Sequence, residues 1–113
     1  MDYIIYQVNM NGVKDGYPNL MFMGYDFFSN FFEKTPFNMT NLGYQNVYTG
    51  KLENDDVNTN IEICLHKIFE IFNIRHPEDY KGRSLSVSDI VFIDGNYYYC
   101  DSFGWTKLDN IEN

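Results

Sequence analysis

The sequence predicts an α+β domain: a small, mostly antiparallel sheet of about four strands, a main amphipathic helix over residues 57–72 and a shorter aromatic helix over residues 25–34. Three observations carry this prediction. Val57, Ile61, Cys64, Leu65, Ile68 and Phe72 recur at the spacing of one helical face. Residues 89–93 and 96–101 flank Asp94-Gly95, a pair suited to a two-residue type I′ turn because both of its central residues take positive φ. Tyr3 to Val8 is β-branched and aromatic, the composition of a strand.

In chain order, the first strand covers residues 3–8, and the turn formers Asn9 to Gly12 then open a loop over residues 9–20. Residues 17–37 carry eight aromatics. Among them Phe27, Phe28, Phe31 and Phe32 share one broad helical face, which places a helix over residues 25–34, ending before Pro36. Core packing is the expected role of this cluster, with a partner-binding surface as the alternative. Tyr44, Asn46 and Tyr48 alternate with Gln45, Val47 and Thr49, so residues 44–49 read as a strand. Asp55 or Asp56 would cap the 57–72 helix, and Asn73 and Pro77 would end it. The type I′ turn sets Phe92 opposite Tyr97 and Ile90 opposite Tyr99. Both faces of that hairpin are then apolar, which calls for cover on both sides. Residues 105–108 fit a last short strand. The 57–72 helix is expected on one face of the sheet and the 25–34 helix on its edge or other face.

A chain of 113 residues is read as a single domain, 1–113. Sixteen acids against eight Lys and Arg give a net charge of −8, which repels phosphate backbones, so no direct nucleic-acid partner is expected. Aromatics at 19% exclude a disordered acidic tail. The opening MDYIIYQVN lacks the basic and long apolar regions of a signal peptide, and no apolar run is long enough to span a bilayer. A cytoplasmic protein without membrane contact is the expectation. Cys64 and Cys100 lack metal-ligand or disulfide-framework spacing and read as buried thiols.

Catalytic patterns are absent from the chain. Ser86 stands where a nucleophile elbow needs its second glycine. Cys64 and His66 would lie about 200° apart around a helix and cannot converge on one metal, and His76 precedes Pro77 in a polar loop. No phosphate-binding glycine loop occurs, and no cofactor or metal is expected. An enzyme would have to use strand-end carboxylates such as Asp89 and Asp101, or Cys100 as a nucleophile. Asp89, Asp94 and Asp101 fall where Asp commonly makes local hydrogen bonds.

The most distinctive stretch combines Tyr48-x-Gly50, Ile68-Phe69-x-x-Phe72-Asn73, the run from Pro77 through Tyr80 and Gly82 to Val91, and Tyr99-x-Asp101-Ser102-Phe103-Gly104-Trp105. Over roughly residues 43–108 it resembles the YodL-like family, small Firmicute domains found alone and as modules of larger proteins on conjugative elements and phages. The resemblance brings no catalytic residues. Arg83, Ser84, Ser86, Ser88 and Asp89 form either a recognition loop or a shaped structural loop held by an Arg83–Asp89 pair. Tyr97, Tyr99, Phe103 and Trp105 form a candidate aromatic patch.

The expected function is a non-enzymatic protein-interaction module of a bacterial mobile element or its host. Its partner would be a host or element-encoded protein, and one specific version is an acidic inhibitor of a nucleic-acid-handling or defence protein. The competing expectations are an enzyme of unrecognised type and a self-associating structural domain. A monomer or small homo-oligomer is expected.

Overall fold

A computed structural model of the chain describes residues 1–52, 60–109 and 111–112. Five strands, β1 (Asp2–Val13), β3 (Leu42–Lys51), β4 (Ile90–Ile93), β5 (Asn96–Asp101) and β6 (Gly104–Leu108), form an antiparallel sheet in the order β3-β1-β4-β5-β6. Two helices, α1 (Tyr25–Lys34) and α2 (Ile61–Ile74), accompany it. A short parallel pair, β2 (Phe37–Asn38) with β7 (Ile111–Glu112), completes an α+β fold that is mostly sheet.

The hairpin forms in the predicted register. Asp94 and Gly95 have φ of 53° and 78°, and Phe92 pairs with Tyr97 and Ile90 with Tyr99. Its two apolar faces are both covered, because the sheet lies between two clusters. Val91 and Ile93 join Tyr3, Ile5, Leu65, Ile68 and Phe72 on the α2 side. Ile90 and Tyr99 join Val8, Leu20, Phe32, Phe37 and Tyr44 on the α1 side. Neither Cys64 nor Cys100 is exposed.

Several boundaries differ from expectation. Residues 9–13 are strand rather than loop: β1 continues to Val13, which pairs with Leu42. Asn9 to Gly12 bulge out between the Val8–Tyr44 and Val13–Leu42 pairs, so these turn formers interrupt the ladder without ending it. A second irregularity falls in β3, where Ile5 pairs with Tyr48 but Tyr6 with Asn46. The extra residue, Val47, breaks the alternation expected over 44–49. Tyr44 therefore packs on the α1 side and Tyr48 on the α2 side, 5.2 Å from the Phe72 ring.

Helix α1 spans the predicted residues, and Thr35 turns extended because Pro36 follows it. Its four phenylalanines do not share one environment: Phe32 is buried, Phe28 and Phe31 are half-buried, and Phe27 is exposed. In α2, the expected start at Val57 and the Asp55 and Asp56 caps lie outside the described residues. The cap that the structure shows is Asn60, whose side chain accepts from the Ile63 amide at 3.0 Å. The far end also shifts, with Asn73 inside the helix and Arg75 closing it through a bond from its N–H to the Ile71 carbonyl. Asn73 does not take a left-handed conformation, and the chain leaves the helix at Arg75, two residues before Pro77. Among the described residues no helix is long and apolar enough to cross a membrane.

Candidate interaction surface

Asp89, immediately before β4, has no solvent exposure. Its carboxyl draws the preceding loop inward. Arg83 Nη1 lies 2.8 Å from Oδ1 and donates to Oδ2 at 2.9 Å. The Ser86 amide donates to Oδ2 at 2.8 Å, and Gln7 Nε2 at 3.2 Å. Gln7 also donates to the Arg83 carbonyl and to the Tyr80 hydroxyl, and that hydroxyl in turn donates to the Arg83 carbonyl. Burial pushes the Asp89 carboxyl up to about 6, and the Ser86 amide, Arg83 and Gln7 pull against that rise. Gly82 is required by close approach, since a Cβ there would fall 2.6 Å from the Tyr80 hydroxyl and 2.8 Å from Gln7 Oε1.

These contacts anchor the loop to the sheet. Of Arg83, Ser84, Ser86, Ser88 and Asp89, only Ser84 is exposed, while Ser88 and Asp89 are fully buried. Arg83 and Asp89 thus hold the loop to the sheet, while Arg83, Ser84 and Ser86 keep surface in water. Cys100 is also buried. Burial and the nearby Asp89 and Asp101 charges push its thiol up to about 12. Asp101 accepts from the Tyr25 and Ser102 amides and the Thr106 hydroxyl, so its carboxylate is engaged in joining elements.

The candidate aromatic patch also separates. Successive residues on a strand face opposite sides, and β5 and β6 lie between two layers. Tyr99 is fully buried on the α1 side, and Tyr97 packs there against Phe92 at 4.6 Å. Trp105 meets Phe69 of α2 at 6.5 Å on the other side. Phe103, in the turn between β5 and β6, is fully exposed.

A different segment joins Phe103 at the surface. Phe22 and Met23, on the chain that leads into α1, are 59% and 42% exposed, and Phe27 in the first turn of α1 is 78% exposed. This segment is fastened from behind by the distinctive stretch of sequence. The Phe22 amide donates to Ser88 Oγ at 3.0 Å, the Tyr99 hydroxyl to the Met23 carbonyl at 2.6 Å, and the Tyr25 amide to Asp101 Oδ1 at 3.2 Å. The Arg83 guanidinium lies 5.1 Å from the Phe22 ring centre. Phe22 and Ser88 both hold left-handed backbone, with φ of 66° and 87°. Such non-glycine conformations persist only where surrounding contacts impose them, and they concentrate at functional sites.

Sequence reasoning named Phe103 and considered residues 17–37, which hold Phe22 and Met23, as a surface, but it missed the Gln7 anchor. Nothing local marks Gln7, because its carboxylate partner lies 82 residues away in the chain.

Residues 2–110 match the family model described as the YodL-like domain. No curated protein and no solved structure matches the chain.

Proposed function

The chain belongs to the YodL-like domain family over nearly its whole length, and within that domain we propose that segment 22–27 and the Phe103 turn make it a non-enzymatic protein-interaction module. One observation carries this reading: large apolar side chains are displayed on backbone that the Ser88, Tyr99 and Asp101 contacts hold in place. A fold that needed Phe27 and Phe103 only for its core would bury them. Rings held on a pre-ordered backbone lose less conformational entropy on binding, the condition under which a few aromatic anchors dominate an interface. The engagement of Asp89 and Asp101 and the protonated Cys100 thiol favour this reading over an enzyme.

The partner is a host or element-encoded protein with a basic contact surface, matched to the net charge of −8. A nucleic-acid-handling or defence protein meets that description through its own basic site. Crosslinked capture on the immobilised full chain tests the proposal. A discrete protein should be retained by the wild-type chain and lost from a Phe27→Ala/Phe103→Ala double variant that melts at the same temperature. Recovery of chaperones alone by both chains would overturn it.

A further inference from the structure

Phe27 of α1 and Phe103 of the β5–β6 turn face one open cleft of about 430 Å³. Asp26 and Asp101 line it with them, and none of its lining residues is a cation. The N-terminal end of α1 contributes roughly half a positive charge. Two carboxylates outweigh it, so the cleft is net negative. At the helix start the Tyr25 amide already donates to Asp101. Two aromatic rings beside two carboxylates suit a side chain with a long aliphatic stem and a cationic head. The chain uses the same chemistry internally, where Arg83 sits 5.1 Å from the Phe22 ring centre and pairs with Asp89.

We infer that this cleft receives a lysine or arginine side chain from a partner protein, its stem against Phe27 and Phe103 and its charge beside Asp26 and Asp101. The inference rests on the interaction-module reading and gives that module a contact chemistry. A second copy of this chain is a poor occupant, since its acids outnumber its Lys and Arg two to one. Nucleic acid is repelled by the same walls.

The test titrates the isotopically labelled full chain with the peptide acetyl-Leu-Arg-Leu-amide, and in parallel with its citrulline analogue, which keeps shape and loses charge. The arginine peptide should cause saturable NMR shifts at the Phe27 amide and at residues 102–104. The citrulline peptide should bind at least tenfold more weakly. Phe103→Ala should weaken the arginine peptide at least tenfold. Asp26→Asn should weaken it two- to five-fold, and added salt should do the same. Both substitutions are at exposed positions, and superimposable melts establish that each variant is folded. Equal binding of both peptides, shifts confined to other surfaces, or no shifts would overturn the inference. A partner captured equally by the wild-type chain and a Phe103→Ala/Asp26→Asn variant would overturn the cleft and leave the module standing. Arginine-peptide binding without any captured partner would do the reverse.

Discussion

Asp89 is buried beside Arg83, which keeps 28% of its side-chain surface in water. Removing one partner of such a pair leaves a charge without compensation. Arg83→Met should therefore cost roughly 3 kcal/mol at pH 7, the lower end of the range for buried pairs because the guanidinium is partly solvated. Denaturant unfolding checks this, and a loss below about 0.5 kcal/mol, the size of an ordinary surface substitution, would refute the anchoring role. Acidity enters with a definite sign. The folded Asp89 carboxyl titrates near 6, raised by burial, against about 3.9 in an unfolded chain. The folded state thus holds the proton more tightly. This favours folding below about pH 3.9 and is lost as the pH rises through about 6. The full difference corresponds to about 3 kcal/mol. The stability of the wild-type chain should fall relative to Asp89→Asn between pH 4 and 7, and parallel stability curves would contradict this. Gly82→Ala should cost about 1–3 kcal/mol by forcing Tyr80 and Gln7 apart, again read by denaturant unfolding. The Arg83–Asp89 pairing was legible in sequence because six residues separate its members. Gln7 was not, since its carboxylate partner is 82 positions away.

At the scale of elements, the hairpin and the two helices were readable because turn chemistry and helical periodicity act within a few residues. Helix caps divide by distance. Asn60 caps α2 from the adjacent position, whereas α1 starts at Gly24, which offers no side chain, and takes Asp101 from the β5 end. Asp101→Ala and Asn60→Ala should each cost about 1 kcal/mol. Only Asp101→Ala should speed amide exchange in the first turn of α1, which distinguishes a long-range cap from a general loss of stability. The bulges in β1 and β3 escaped the sequence reading for a different reason: they are properties of two paired strands. Val47 reads as one step in an alternation until the register against β1 makes it an extra residue.

Across the whole molecule, acids occur at both ends of the same strand, with Asp94 in one turn of β5 and Asp101 at its other end. Acids are thus not confined to the Phe27–Phe103 cleft, which is distinguished by its aromatics more than by its acids. Phe103→Ala should leave the melting temperature unchanged, because a fully exposed ring contributes nothing to the core, while abolishing partner capture. A drop of several degrees would instead assign Phe103 a packing role.

By itself the sequence determined the fold class, the main helix, the hairpin register and the apolar character of both sheet faces, since these follow from local periodicity and turn chemistry. Family membership was also readable from motifs over residues 43–108. Only the tertiary structure decided which aromatics stay outside. Tyr99 and Phe103 belong to the same candidate patch in the sequence and differ completely in exposure. The layer covering each face of the sheet sets that difference, and long-range contacts from Ser88, Tyr99 and Asp101 place segment 22–27 at the surface.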